Sequence, residues 1–300
     1  MKTYKIYQVD SFTRDRLHVN PAGVVPDAKG LTDEQMLSIA RELNNSETAF
    51  IFEADSPDYD IEVRFFTPTT EVPICGHATI AAHYVRAKVT HMEGGTVVQK
   101  TKAGILPVDV VRAQNDYSIT MTQGTPAISA PFGDAVRERI ADALGIAHEE
   151  ICREYPVAVA STGHSKVMVP LYSNELLHGL QPDLQKLTKI SKQIECNGYY
   201  AFTLNPQNKI LVHGRMFAPA IGIAEDPVTG NANGPLGAYL VHFNILQDED
   251  ARCFDFDIMQ GEAIKRDGTM HVHVEKEHGT PKLVQITGNA VIAFSTEITI

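Results

Sequence analysis

The sequence contains no tryptophan and only four cysteines, Cys75, Cys152, Cys196 and Cys253, which form no Cys-x-x-Cys pair. Their wide spacing argues against a zinc ribbon or a redox motif. We expect the thiols to be reduced, as is usual in the cytoplasm. The chain also lacks any run of about 18 apolar residues, and its first residues, MKTYKIYQVDSF, lack the continuous apolar segment of a signal peptide. We therefore expect a cytoplasmic protein without a membrane partner.

Basic residues are scarce as well. Lys and Arg total 26 against 37 Asp and Glu, which gives a formal net charge of −11. No stretch is dense in Lys and Arg, so we expect no nucleic-acid partner. With 300 residues, of which 43% are hydrophobic, the chain can bury a substantial core without disulfides or metal.

Short β-rich runs alternate with a smaller number of helical segments. Thr32, Asp33, Glu34 and Gln35 form a capping box that predicts the start of one helix, and residues 134–144 predict a second helix that ends at Gly145. Strands are predicted for the runs KIYQVDSF, DIEVRFFTP, ILPVDVV, YSITM, VAVAS, KVMVPL, YYAFTL, KILVHGRMF, MHVHV and AVIAF.

An internal repeat organises these elements. Arg64-Phe65-Phe66-Thr67-Pro68 is echoed 151 positions later by Arg215-Met216-Phe217-Ala218-Pro219. Gly76-His77-Ala78 is matched 154 positions later by Gly230-Asn231-Ala232, and each triplet opens an apolar segment rich in Ala and Gly. The repeat predicts two copies of a helix, strand, strand, buried-helix unit, with each buried helix wrapped by the strands of its own half.

The loops that lead into the two buried helices are the predicted lining of a ligand cleft between the halves, because pockets favour domain interfaces. Gly76 and Gly230 stand at these helix entries, where glycine lets the backbone approach a ligand closely. Free N–H groups and the helix dipole make each entry an anion site. We therefore expect a small, carboxylate-bearing substrate.

Glu47 is the candidate proton carrier. It lies between a predicted helix and an apolar strand, where partial desolvation suits a general acid/base. Taken alone, each signal has an ordinary structural explanation: Glu47 as a solvated surface residue, His77 as a helix cap, and Asp226 as an N-cap before Pro227.

Four segments together resemble a known family: VDSFTRDRLHVNPAGVV, RELNNSETAFIF, VRFFTPTTEVPICGHATIAAHYV and GIAEDPVTGNANGPLGAYL. In order and spacing they are similar to the signature segments of the PhzF-like isomerases, which share the diaminopimelate-epimerase fold. The resemblance implies an α+β fold of two pseudo-twofold-related halves, each a curled mixed sheet or barrel around a central buried helix. Residues 1–117 and 288–300 would form the first half, and residues 118–287 the second.

The resemblance also implies roles for particular residues. Glu47 would be the general acid/base, with His77 and Asp226 beside it as positioning or proton-relay groups. The resemblance implies no cofactor. It implies a homodimer, the typical oligomeric state of the family. The substrate-binding residues would be Asn20, which lines the cleft, and Gly76, Thr229, Gly230 and Asn231 at the helix entries.

Two positions depart from the family pattern. Asn231 stands where the family often has serine, so an amide replaces a hydroxyl that could touch the substrate. Val19 stands where glycine is common, which disfavours a positive-φ turn at that point. Both departures argue against the best-known reaction of the family, isomerisation of a dihydro-hydroxyanthranilate.

Three alternatives remain open. A two-base racemase or epimerase would need paired thiols, and Cys75 has Thr229 rather than cysteine as its counterpart. A non-catalytic carboxylate-binding protein would need only the helix entries. Metal catalysis would need a ligand cluster, but His271 and His273 have no third ligand that the sequence identifies, and His77 and His83 lack the helical i, i+4 spacing, so no metal site is predicted.

Overall fold

The computed structural model describes residues 1–17, 19–246 and 251–300. It divides into two compact units: unit 1 consists of Met1–Thr122 and Thr287–Ile300, and unit 2 of Gln123–Ile286. Within the described ranges, no helix is long and apolar enough to cross a membrane.

Helices and strands alternate in both units. The helices are α1 (Asp33–Leu43), α2 (Gly76–Thr90), α3 (Asp134–Leu144), α4 (Asn174–Gly179), α5 (Leu184–Ile194) and α6 (Gly230–His242). The strands that begin in unit 1 are β1 (Thr3–Ser11), β2 (Asn20–Val25), β3 (Thr48–Glu53), β4 (Ile61–Phe66), β5 (Glu71–Val72), β6 (Gly95–Thr101), β7 (Gly104–Ala113) and β8 (Asp116–Thr122). The strands that begin in unit 2 are β9 (Ala127–Ile128), β10 (Ala158–Ser161), β11 (Ser165–Pro170), β12 (Tyr199–Leu204), β13 (Ile210–Ala218), β14 (Ile223–Asp226), β15 (Cys253–Gln260), β16 (Gly268–Glu277) and β17 (Thr280–Thr299), whose last part belongs to unit 1.

The sheet of unit 1 closes into a barrel around α2. β2 runs parallel to β3 and β4 parallel to β6, whereas β1–β2, β1–β17, β3–β4, β6–β7 and β7–β8 are antiparallel. β8 pairs in turn with β17, which completes the ring. Inside it, α2 contacts β1, β2, β3, β7 and β8 and buries Ala78, Ile80, Ala81 and Val85 completely. A helix that is apolar on nearly every side is stable only in such an enclosed position.

Unit 2 repeats this order of strands around α6. β11 is parallel to β12 and β13 to β15, while β9–β10, β10–β11, β12–β13 and β15–β16 are antiparallel. α6 packs against β9, β10, β11 and β16. The α+β prediction, with a curled mixed sheet around one buried helix in each half, is therefore confirmed.

The repeated arginines explain why the repeat is visible in the sequence. Arg64 on β4 donates from Nε and Nη2 to both carboxylate oxygens of Glu71, each at 2.8 Å. Arg215 on β13 makes the same two-point contact with Glu225, at 2.9 and 2.8 Å. Each pair fixes the loop that leads into the central helix of its own unit, because a two-point contact restrains both position and orientation.

The local helix signals are confirmed in detail. Thr32 is the N-cap of α1, with its hydroxyl accepting from the Gln35 backbone N–H and the Gln35 side chain accepting from the Thr32 N–H. Gly145 ends α3 in the left-handed conformation at φ 77°. Every predicted strand coincides with an observed strand. The sequence analysis did not predict the strands β2, β5, β6, β9, β14 and β15.

The expectation for Val19 was wrong. This residue has φ 64° although its side chain is β-branched, a combination that costs on the order of 1–3 kcal/mol. The chain must reverse between Ser11 and Asn20, which face each other across β1 and β2. Complete burial of the Val19 side chain offsets the conformational cost, so the turn does not require glycine.

Candidate active site

The backbone around Glu47 is fixed from three sides. α1 ends at Asn44, which adopts the left-handed conformation at φ 52° and donates its N–H to the Ala40 carbonyl. The next residue, Asn45, exchanges two amide hydrogen bonds with Gln8 on β1, at 2.7 and 2.8 Å. The Glu47 carbonyl accepts from the Gly23 N–H at 3.3 Å. Glu47 therefore enters β3 from a turn with little freedom to move.

Gly23 is required for this arrangement. A Cβ atom at Gly23 would lie 2.6 Å from Leu43 Cδ1 and 2.7 Å from Thr48 Oγ1. Such contacts are too close for any real side chain, so only glycine lets β2 approach the turn that carries Glu47.

Glu47, His77 and Cys75 form one cluster in unit 1. Oε2 of Glu47 lies 3.3 Å from Nε2 of His77, and the two side chains are 21% and 11% exposed. The contact lacks the alignment of a hydrogen bond, and Oε2 is buried without any hydrogen-bond partner among the described residues. A buried carboxylate oxygen without a hydrogen-bond partner carries a desolvation cost. Residues with a purely structural role rarely leave a buried polar atom in this state.

His77 is held at both its backbone and its ring. Ser11 Oγ donates to the His77 carbonyl at 2.8 Å, and Ser46 Oγ lies 3.2 Å from His77 Nε2. Cys75 Sγ lies 3.4 Å from Nδ1 and 3.9 Å from Nε2 of the same ring. His77 is the second residue of α2 and not its cap, because the N-cap is Cys75. The imidazole is therefore aimed at Glu47 by its neighbours.

The entry of α2 is open. Cys75 makes no side-chain capping bond, so it does not satisfy the N–H groups that every first helical turn leaves unpaired. A Cβ atom built on Gly76 would meet no atom of the described chain within 4 Å. Glycine at this position is not imposed by packing, and the space beside it can receive an anion at the helix N-terminus. Asn20, the first residue of β2, is buried at 3% exposure.

The predicted residues of unit 2 lie around the entry of α6. Asp226 ends β14 and accepts a short hydrogen bond from Thr229 Oγ1. Thr229, and not Asp226, is the N-cap, although its side chain makes no capping bond to the helix. Asn231 has non-helical dihedral angles (φ −79°, ψ 15°), because Pro235 has no N–H to donate to its carbonyl.

Gly230 differs from its repeat partner. A Cβ atom at Gly230 would lie 2.5 Å from Ile286 Cδ1, so this glycine serves the packing of α6 on β17. In unit 1 the equivalent Gly76 borders open space. The two helix entries are therefore not interchangeable.

Gln260, which the sequence analysis did not identify, holds the α6 entry together. Its Oε1 accepts from the Thr229 N–H and from Asn233 Nδ2, both at 3.1 Å. Its Nε2 donates to the Asp226 carbonyl at 2.8 Å. Gln260 is the last residue of β15, and nothing in the sequence distinguishes its buried amide from a surface amide.

Lys166 is a second missed residue. It is only 5% exposed, and its stem fills the space that a side chain at Gly198 would occupy, 2.4 Å from the position of that Cβ. Burial lowers the pKa of Lys166, and its electrostatic interaction with Asp226 opposes the shift. A buried lysine with a shifted pKa that interacts with Asp226 is a candidate functional group. The signal in the sequence was a lysine at the start of the apolar run KVMVPL.

The structure thus groups the predicted residues by unit. Glu47 and His77 come together with Cys75 in unit 1, where the three ligand atoms lie within 4.8 Å of one another. Such a set of carboxylate, thiol and imidazole is also one that a transition metal accepts. In unit 2, Asp226, Thr229, Gly230 and Asn231 share the α6 entry.

Comparison with known proteins places the chain in a family. The sequence profile described as phenazine biosynthesis-like protein (PhzC-PhzF) matches residues 9–296. An uncharacterized isomerase of Clostridium acetobutylicum is 53% identical over 299 residues, covering 99% of both chains. The crystal structure of a PhzF-family phenazine biosynthesis protein from Bacillus anthracis has a TM-score of 0.88 and 32% identity, with 100% of both chains covered.

A more distant structure agrees in fold alone. A hydroxyproline epimerase from Agrobacterium vitis, solved with bound trans-4-hydroxy-L-proline, has a TM-score of 0.61 at 11% identity and covers 99% of this chain and 91% of its own. The names of the related proteins confirm the predicted reaction class, an isomerase. The chain belongs to the phenazine biosynthesis-like protein family.

Proposed function

We propose that the protein is a cofactor-independent isomerase that moves a proton between carbon atoms of a small carboxylate-bearing substrate, with Glu47 as the general acid/base. The observation that carries this proposal is that Oε2 of Glu47 is buried 3.3 Å from His77 Nε2 and has no hydrogen-bond partner among the described residues. A carboxylate in this state is positioned to accept a proton that the protein itself does not supply.

The proposed reaction is a proton shift. The Glu47 carboxylate removes a C–H proton next to an unsaturated, carboxylate-bearing system, and the electron pair of that bond moves into the π system. Glu47 then returns the proton to another carbon. One C–H bond breaks and one forms, so the substrate is neither oxidised nor reduced, and His77 keeps the carboxyl group oriented through both steps.

The α2 entry would bind the substrate carboxylate. The unpaired N–H groups of its first turn and the positive end of the helix dipole favour a carboxylate, and favour it more strongly as negative charge spreads onto it during proton removal. The open space at Gly76 supports this assignment because it leaves the backbone accessible.

We further propose, as the sequence repeat and the family resemblance predict, that the α6 entry has a role in the reaction. Asp226 would position or relay the proton, and Thr229, Gly230, Asn231 and Asn20 would contact the substrate. Lys166, a buried lysine that interacts electrostatically with Asp226, supports a functional role for this entry. Asp226→Asn is expected to lower turnover while leaving the thermal midpoint of unfolding nearly unchanged.

The test is to measure turnover and binding separately in Glu47→Gln. General acid/base catalysis contributes roughly 10²–10⁴-fold, so kcat is expected to fall by that factor while the Kd for the substrate changes only a few-fold. Glu53→Gln, on the same strand with an exposed carboxylate that pairs with Lys29, is the matched control. If wild type and Glu47→Gln turn over equally, the proposed role of Glu47 is wrong.

One observation favours a second candidate, a two-base racemase or epimerase. Cys75 Sγ lies 3.4 Å from His77 Nδ1, which is close enough for the imidazole to accept the thiol proton. The matching position carries Thr229, whose hydroxyl is already engaged by Asp226, so a thiol pair is missing. Cys75→Ser is expected to retain turnover within a few-fold for the proton shift, whereas a thiol-dependent epimerase would lose it.

A non-catalytic carboxylate-binding protein would bind through the same helix entries and show no turnover of any ligand. In that case neither wild type nor Glu47→Gln would show turnover, and their affinities for the ligand would differ by no more than a few-fold. We also propose that the protein is a homodimer, because homodimers are typical of the family. Sedimentation equilibrium on the full chain tests this directly.

A further inference from the structure

The hairpin of β15 and β16 carries a set of metal-binding side chains on its outer face. The register pairs Cys253 with Glu275, Asp255 with His273 and Asp257 with His271. The alternate residues of both strands point into the core of unit 2, and they include Phe256, Ile258, Met270, Val272 and Val274. Because side chains alternate along a strand, the six polar groups share one face directed away from the core.

Three of these groups converge closely. One ligand atom from each of Cys253, Asp255 and His273 lies within 4.8 Å of the other two. Asp255 Oδ1 lies 2.8 Å from His273 Nδ1 and 3.2 Å from His271 Nε2. The other nitrogen of His271 lies 2.9 Å from Asp257 Oδ1. The Asp255 carboxylate is therefore held between two imidazole rings.

We propose that Cys253, Asp255 and His273 form a binding site for a divalent transition metal, with Zn²⁺ as the best chemical match. Thiolate, imidazole and carboxylate are the ligands that zinc takes in proteins, at about 2.0–2.3 Å. Tetrahedral coordination at those distances places ligand atoms about 3.5 Å apart, which small side-chain rotations reach from the observed spacing. A water molecule completes the fourth position.

His271 would support the site without binding the metal directly. Its contact with Asp255 fixes the carboxylate, in the way that groups hydrogen-bonded to metal ligands commonly tune affinity. The sequence analysis found no third ligand for His271 and His273 because Asp255 and Cys253 lie on the partner strand, about 16 to 20 residues earlier in the chain.

A purely structural role explains the cluster less well. Exposed ion pairs contribute about 0–1 kcal/mol each, and aspartate is among the residues least favoured in strands. An exposed thiol such as Cys253 adds nothing to Asp–His pairs across the hairpin. These choices of residue type are explained if the side chains bind a metal.

The test uses the full chain without a polyhistidine tag and Co²⁺ as a spectroscopic probe. Isothermal titration with Zn²⁺ is expected to give one site per chain, and Co²⁺ is expected to produce a thiolate-to-cobalt charge-transfer band that Zn²⁺ displaces. In Cys253→Ser the band is lost, and in His273→Gln the Kd for Zn²⁺ rises on the order of ten- to a hundred-fold. Circular dichroism verifies that each variant is folded.

Cys75→Ser is the matched control, because Glu47, Cys75 and His77 form the other cluster of this kind in the described chain. The band is expected to persist in this variant. A band that disappears in Cys75→Ser and survives in Cys253→Ser overturns the proposal, as does the absence of Zn²⁺ binding to the wild-type chain. The result is independent of the proposed isomerase activity.

Discussion

Alanine at the two helix-entry glycines should have opposite consequences. At Gly76 a methyl group meets no atom of the described residues within 4 Å, so Gly76→Ala should not lower the free energy of unfolding and can raise it by up to about 1 kcal/mol through helix propensity. At Gly230 the methyl group meets Ile286 Cδ1 at 2.5 Å. Ile286 is fully buried and must move within a packed core, which costs on the order of 1–3 kcal/mol.

Substrate binding should show the opposite pattern to stability, with the larger effect at Gly76. If the substrate carboxylate approaches the backbone at Gly76, the added methyl group occupies its path and raises KM at least about tenfold, equivalent to about 1.4 kcal/mol. Urea denaturation gives the stability of both variants, and competition by small carboxylates gives their affinity. Equal affinity of Gly76→Ala and wild type would refute the carboxylate site at the α2 entry, and an undiminished stability of Gly230→Ala would refute its packing role.

Two further predictions concern stability. Arg215→Gln should lower the free energy of unfolding by about 3–5 kcal/mol, because it leaves the largely buried Glu225 carboxylate without its ion-pair partner. Arg64→Gln should cost less, because Lys102 still pairs with the Glu71 carboxylate after the change; urea denaturation compares the two variants, and equal losses would contradict the argument. Burial lowers the pKa of His83 to about 4 from 6.5, so the unfolded chain takes up a proton that the native state refuses as the pH falls from about 6.5 to 4. Wild type should lose roughly 3 kcal/mol of stability over that interval through His83, a loss that His83→Gln removes; identical pH profiles would contradict it.

Much of the fold was predictable because its signals are local or repeated. The capping box at Thr32 and the glycine at 145 act within one helical turn, and short-range signals of this kind survive in any tertiary context. The repeat was detectable because Arg64 and Arg215 make the same two-point contact in the two units, which needs the same residue type at the same place.

The candidate site was predictable in part. The family resemblance and the repeat directed attention to Glu47 and His77, and the structure brings their side chains together although 30 positions separate them. The turn at Val19 was mispredicted because tertiary burial outweighed a local preference. Burial of Lys166 depends on strand pairing, and its only local signal is its position at the start of an apolar run.

The proposed metal-binding residues Cys253, Asp255 and His273 show more clearly that local sequence does not reveal contacts between strands. His271 and His273 were recognised on one face of a strand, but their partners became visible only through the antiparallel register with Asp255 and Cys253. Pairing between strands is a non-local choice that depends on the whole sheet.

Solvent deuterium exchange tests the role of Glu47 most directly. Unsaturated small carboxylates are incubated with the protein in D₂O, and incorporation at carbon is followed by proton NMR. Wild type and Glu53→Gln are expected to introduce deuterium at a carbon atom, and Glu47→Gln is expected to do so at least about a hundredfold more slowly. Exchange that continues at the wild-type rate in Glu47→Gln would contradict the account.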